Sequence, residues 1–454
     1  MKQTENDLGR EPIGRLVLRI AIPSMLAQFV SVLYSIVDRM FVGNIPVTGD
    51  LSLAGVGVCG PIVTMIGAFA FLVGIGGTPL MGIALGEGNR EKASHILANC
   101  FVLLGGISVI VTILALALKA PMLRLFGASG ATYPYAEAYF TIYVSGTIFS
   151  LLSVGMYQFI VAQGYAKVGM CSVILGAVLN IILDPVFIYL FRMGVRGAAL
   201  ATVISQAASA VFVLVFLFRK SSITISFGGY SLKTMARVLQ MGFTPFAIIA
   251  ADNIMIIAMN ALLQKHGGAQ GDTLITVNTI VQSFMLVLTM PLGGISGGTQ
   301  CILSYNYGAG HSQRVLKAQR YIAGLCAAYT GILFVMARLA GPMFVSLFTS
   351  DASLNAQACR AIGICTLTAV PLGIQYAIVD GFTGMGQIQM SLPLSFWRKT
   401  VYFIAVFAIP NLMDASMIFY AQPISDILAV SVSIPMYFVM MPRILRGRAN
   451  QLGK

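Results

Sequence analysis

The stretch GGTPLMGIALGEGNREKA, residues 76–93, decides the fold because the chain carries it twice. Its counterpart is GGTQCILSYNYGAGHSQRVLKA at 297–318. Each has Gly-Gly-Thr, an apolar stretch, Gly-x-Gly and then a basic helix start. Two further matches lie in the same order: QGYAKVG at 163–169 with DGFTGMG at 380–386, and Pro23 with Pro245. The separations run from 217 (380 minus 163) to 222 (245 minus 23). Three ordered matches at nearly one offset mark an internal duplication.

Around these motifs the chain is apolar. Of its 454 residues, 57% are hydrophobic and 9% charged, against about 25% charged in ordinary soluble domains. Apolar runs of about 20 residues, the length that crosses a bilayer, recur at 16–43, 51–80, 93–118, 135–159, 168–191, 197–218, 239–265, 273–304, 316–340, 354–381, 391–411 and 416–441. The expectation is an all-α integral membrane protein with twelve transmembrane helices. The most polar internal segment, RKSSITISFGGYSLKTMARV at 219–238, divides six helices from six. This gives an N-terminal lobe at 1–218, a cytoplasmic linker at 219–238 and a C-terminal lobe at 239–454. An even number of helices per half gives both halves the same orientation, related by an axis along the membrane normal. The polar start MKQTENDLGREPIGR is not followed by a small-residue cleavage site, so the first run reads as a retained helix.

The net charge of +13 is distributed as topology demands. With the N-terminus inside, twenty Lys and Arg fall on the inner side, Arg398 and Lys399 among them. Seven fall outside: Lys119, Arg124, Arg192, Arg196, Lys265, Arg338 and Arg360. That is a positive-inside bias, and it predicts a multi-pass cell-membrane protein with both termini cytoplasmic. Basicity used this way argues against nucleic acid as a partner. The seven scattered cysteines read as small buried hydrophobes with no disulfide or zinc framework. No Walker lysine pattern, nucleophile elbow or HExxH helix is present, so neither ATP hydrolysis nor another enzyme activity is expected.

Acids inside the membrane are functional candidates because their burial is costly. Asp38, Asp184, Asp252, Asp380 and Asp426 qualify. At about 1.5 Å per residue, Asp38, Asp184 and Thr202 come out roughly 7–11 Å below the outer surface. Asn180 lies one turn from Asp184 on the same face. Pro185 deprives the Ile181 carbonyl of its helical donor, which adds an oxygen nearby. Such an oxygen-rich cluster suits Na⁺, and poorly solvated carboxylates equally suit protons. Asp252, Asp380 and Asp426 form no comparable cluster by depth, and Asn260 stands at the repeat position of Asp38.

These residues carry a resemblance. IPSMLAQFVSVLYSIVDRMFVG in the first helix, LGEGNREKA, QGYAKVG, LNIILDPVFI and GVRGAALATVISQ together resemble the multidrug and toxic compound extrusion (MATE) family, over essentially the full length. The resemblance implies two pseudo-symmetric six-helix bundles in a V shape. It also implies export of amphipathic or cationic organic compounds by antiport against Na⁺ or H⁺, with no other cofactor and no obligate protein partner. The family's N-lobe cation site would be carried by Asp38, Asn180, Asp184 and Thr202. Tyr34 matches a cavity tyrosine and Pro23 a proline linked to bending of helix one. Gln206, Asp252, Asp380 and Asp426 join these two as candidates for the substrate cavity or gating. The sequence departs from some branches in having Asp252 in place of a helix-seven glutamate. A lipid-linked oligosaccharide flippase of the same superfamily is the alternative. It would want cations in its cavity, and Arg39, near the outer end of helix one, is the only clear intramembrane cation in this reading.

Overall fold

The computed structural model describes residues 8–453, apart from 267, 269, 270 and 350 and the side chains of 257 and 272. Among the described residues, twelve apolar spans follow one another when each of two bent pairs is taken as one: α1 (Ile13–Gly43), α2 (Gly49–Gly86), α3 (Arg90–Ala117), α4 (Tyr133–Ser145 with Thr147–Ala162), α5 (Ala166–Leu190) and α6 (Val195–Arg219), then α7 (Leu232–His266), α8 (Thr273–Gly308), α9 (Ser312–Leu339), α10 (Ala352–Cys365 with Ala369–Gly384), α11 (Ile388–Leu412) and α12 (Ala415–Gln451). Every apolar run read from the sequence becomes one of these. Large side chains such as Ile110, Ile113, Val211 and Ile332 stand on the outside, as expected where lipid tails replace water around the fold.

The duplication extends to the ends of helices. Arg90 and Ser312, Thr147 and Ala369, and Ala166 and Ile388 open equivalent segments, each pair 222 residues apart (312 minus 90, for example). The α2–α3 and α8–α9 corners use one turn. Asn89 N–H donates to the Ala84 carbonyl at 2.9 Å, and His311 N–H donates to Asn306 at 2.8 Å. Gly88 (φ 78°) and Gly310 (φ 74°) supply the left-handed residue, which only glycine adopts without a Cβ penalty. Gly164 (φ 85°) and Gly386 (φ 73°) do the same after α4 and α10. That fixes the register of QGYAKVG. Its glycine matches the last glycine of DGFTGMG at offset 222 (386 minus 164), not the first at 217.

Each bent span breaks where helix hydrogen bonding is interrupted. The two parts of α4 meet at 56° around Gly146, and those of α10 at 46° around 366–368. A Cβ at Gly146 would come within 2.6 Å of Val203, so that corner needs glycine for close approach to α6.

The chain forms two compact units that do not divide at 219–238. One comprises Ile22–Ile249; the other comprises Leu8–Ala21 together with Ala250 onward. Both boundaries lie in long helices near a proline, Pro23 in α1 and Pro245 in α7. Each such proline removes one backbone donor and weakens helical continuity.

In the first unit, α7 starts against α2. A Cβ at Gly242 would lie 1.7 Å from the Leu72 carbonyl oxygen, and one at Gly76 would lie 2.3 Å from that of Val238. Segment 220–231 is laced onto the same unit. Gln163 accepts from Ile223 N–H at 2.8 Å and donates to its carbonyl at 3.2 Å, while Asn99 accepts from Ser231 N–H at 2.8 Å. In the second unit, Leu8–Ala21 is held by Asn306 and Arg314, which donate to the Leu8 carbonyl at 3.0 and 3.2 Å.

Candidate functional site

In the first unit, α1, α4, α5 and α6 bring polar groups into an apolar interior. Asp184 is fully buried and Asn180 is 2% exposed. Asp38 of α1 and Asp184 of α5 lie close enough for their carboxyls to influence each other. Like charges that close disfavour ionising both carboxyls together.

Asn180 gathers the oxygens. Its amide nitrogen lies 3.4 Å from both Asp184 Oδ1 and Thr202 Oγ1. Both distances exceed the usual N–H···O length of about 2.7–3.2 Å, so the groups converge without closing on one another. The Thr202 hydroxyl donates to the Ala198 carbonyl at 3.0 Å, which leaves its lone pairs turned to the cluster. Asp38 Oδ1, Asn180 Oδ1 and Asp184 Oδ2 are buried and lack a donor. Buried oxygens without donors are uncommon and ask for an explanation such as an ion.

Local sequence builds this geometry. Pro185 ends the regular part of α5, and Val186–Leu190 continues as a π-helical turn where the sequence suggested one uninterrupted helix. Phe191 N–H donates to Val186 at 2.9 Å. A wide turn is the usual response to a lost donor and recurs at functional sites. Tyr189 in that turn donates to the Phe41 carbonyl at 2.8 Å and so ties α5 to α1 close to Asp38.

Tyr34 and Tyr143 extend the polar chamber, both close enough to interact with the carboxyl pair or each other. Tyr139 stacks on Tyr143 with ring centroids 6.0 Å apart. Gln206 donates to the Tyr143 hydroxyl at 3.5 Å. Asp38, Asn180, Asp184, Thr202, Tyr34 and Gln206 therefore converge in one unit. Pro23 stands apart, at the unit boundary. Tyr139 and Tyr143 were not legible as members, since aromatic residues in an apolar span carry no positional signal.

The candidate acids of the second unit are each engaged by a partner. Asp426 is sealed and bound by Arg398 at 3.0 Å, by Thr368 at 3.0 Å and by Gln422 at 3.0 Å. Asp252 pairs with Lys399. Asp380 accepts from Ser296. Arg398 and Lys399 sit near the middle of α11, inside a span, and not on the inner flank to which the charge pattern assigned them. Arg39 is therefore not the only intramembrane cation. Without these two, eighteen (twenty minus two) inner cations still outnumber seven outer ones. Asn260 donates nothing to a carboxylate; it accepts from Asn278 at 3.0 Å. The repeat partners of Asn180 and Asp184 are Tyr402 and Val406 (180 and 184 plus 222), so the Asn–Asp pair is not repeated at the equivalent positions.

All seven cysteines are free thiols. Among the described residues, no three His, Cys, Asp or Glu converge as a metal centre.

The described residues form a multi-span, all-helical bundle with a buried carboxyl pair in its first unit. The MatE family model matches residues 23–186 and 249–409, and the chain belongs to that family. The Multidrug export protein MepA of Staphylococcus haemolyticus is 22% identical over 444 residues, spanning 96% of each chain. Among solved structures, a MATE protein in complex with MaL6 superimposes with a TM-score of 0.91 at 22% identity, over 98% of this chain and 100% of that one. A MOP superfamily transporter from Pyrococcus furiosus, described by the reverse polarity of its binding pocket, gives a TM-score of 0.90 at 22% identity, over 98% and 99%.

Proposed function

We propose that this chain is a secondary active multidrug exporter. It moves amphipathic or cationic compounds out of the cell against inward flow of Na⁺ or H⁺, in the cell membrane with both ends inside. The termini themselves, up to Asp7 and at Lys454, lie outside the described residues. The observation that carries the reading is the Asp38–Asp184 pair, whose buried oxygens lack donors. The coupling ion is a second substrate here, held by Asp38, Asp184, Asn180 and Thr202.

The cycle follows from charge. Without the ion, the paired carboxylates repel and the chamber favours an open form that receives a cationic cargo. Binding of Na⁺ or H⁺ neutralises the pair, and α1 bends at Pro23, where its backbone ladder lacks a donor. Ion and cargo then weaken each other's binding by the same factor. A potential of 100 mV adds about 2.3 kcal/mol per charge moved. The MepA relatives are multidrug export proteins by name, which favours transport over enzymatic chemistry.

The flippase alternative gains one observation, since Arg398 and Lys399 do lie within a span. Both are engaged by carboxylates, which favours the exporter. Efflux from proteoliposomes under a Na⁺ gradient alone and a pH gradient alone tests the proposal. One gradient drives export by the wild type, and Asp38→Asn does not respond. Equal gradient-driven export by that variant removes Asp38 from the mechanism.

A further inference from the structure

The second unit contains a cavity of about 200 Å³ with a mixed charged and apolar lining. Lys399, Arg398 and Asp252 line it together with Met255, Met259 and Met285. Arg398 and Lys399 correspond to Gly176 and Ala177 in the repeat (398 and 399 minus 222). A Cβ at Gly176 would come within 2.4 Å of Ser209 Oγ, so a long cation has no room there. The paired cations of this lining are therefore not repeated at the equivalent positions of the first unit.

The two ion pairs on its wall are not alike. Asp426 is 1% exposed at its side chain and takes three further hydrogen bonds from Thr368 and Gln422, so its bond to Arg398 is locked. Asp252 is 47% exposed at its side chain and Lys399 is its recorded partner. Lys399 itself is only 15% exposed. A largely enclosed ammonium whose counter-ion is accessible can exchange that counter-ion for another of the same charge. An ammonium has three donors and needs no fixed approach geometry, so the incoming anion is constrained mainly by the cavity's shape. The lining methionines supply an adaptable apolar surface for the rest of the molecule.

We infer that this cavity binds the acidic group of an amphipathic cargo, with Lys399 as its anchor and Asp252 as the displaceable internal counter-ion. Cargo carrying a carboxylate, or both a carboxylate and an amine, is then accepted alongside purely cationic compounds. The inference deepens the export reading and rests on it for the cargo's passage. Its test needs no gradient, so the two fail separately.

The experiment is equilibrium binding to the purified full-length protein in lipid nanodiscs. The probes are a rhodamine bearing a free carboxylate and its methyl ester, which differ only in the acidic group. Asp252→Asn frees Lys399 and raises the affinity for the acid by about tenfold, the scale of one hydrogen bond to a charged group, while the ester is unchanged. The double variant Asp252→Asn with Lys399→Gln keeps the wall neutral and abolishes the preference for the acid. A purely structural ion pair would move both dyes together. Equal shifts for acid and ester, or no shift for the acid in Asp252→Asn, would overturn the assignment.

Discussion

Asn180 faces Asp184 from one helical turn away, its amide nitrogen 3.4 Å from Asp184 Oδ1 and equally far from Thr202 Oγ1. The amide leaves its own oxygen without a donor beside two carboxylate oxygens in the same condition. Neutralising either acid should therefore uncouple transport without unfolding the protein. Asp38→Asn and Asp184→Asn are each expected to abolish the response of efflux to the driving gradient. Their double variant should be no worse than the worse single one, because the residues act as a unit. Proteoliposome efflux and a thermal melt on the same samples check this. Additive losses would mean that the acids work separately.

Thr202 offers a finer probe. Its proton is committed to the Ala198 carbonyl at 3.0 Å, so it serves the chamber as an oxygen acceptor. Thr202→Ser keeps that oxygen and should retain coupling. Thr202→Val keeps the shape and loses the oxygen. Half-saturation for the driving ion is then expected to rise by about 2- to 12-fold, equivalent to one hydrogen bond of about 0.5–1.5 kcal/mol. Comparable half-saturation in the two variants would exclude Thr202 from the ion shell.

The twelve spans were legible because a bilayer demands one apolar run per crossing, and the acidic chamber because carboxylates in such runs stand out. Three features were not. The register of QGYAKVG against DGFTGMG was misread because glycine and aromatic spacing alone does not show which glycine takes positive φ; Gly164 and Gly386 do. Arg398 and Lys399 look like the basic flank of a span, since long cationic side chains usually reach the interface. Their partners, Asp426 and Asp252, lie on other helices, and pairing across helices leaves no local trace in sequence. The exchange of α1 and α7 starts between compact units was hidden for the same reason, although Pro23 and Pro245 marked where it occurs.

Close approach between α2 and α7 gives a packing prediction. At Gly242 a methyl group would meet the Leu72 carbonyl oxygen at 1.7 Å, and backbone cannot rotate aside as a side chain can. Gly242→Ala should destabilise the protein by about 1–3 kcal/mol, the cost of overpacking. Gly57 of α2 faces open space, and Gly57→Ala should lie within about 1 kcal/mol of the wild type. Apparent melting temperatures in one detergent compare the pair. Similar melting of both variants would mean that α7 does not start against α2.

The locked pair in the second unit should respond to mutation in the opposite way from the exchangeable one. Arg398 and Asp426 meet at 3.0 Å with side chains 15% and 1% exposed. Removing the cation alone, as in Arg398→Gln, strands a buried carboxylate and should cost about 3–5 kcal/mol. Adding Asp426→Asn removes the stranded charge, while Thr368 and Gln422 remain to hydrogen-bond the new amide oxygen in place of the carboxylate. Most of the lost stability is then expected to return, because a matched neutral pair is often no less stable than the ions it replaces. Thermal melts of the single and double variants decide the matter. A double variant as unstable as Arg398→Gln alone would show that Arg398 supports α11 through its contact with Tyr376, whose ring centre lies 5.8 Å from the guanidinium carbon, and not through its charge.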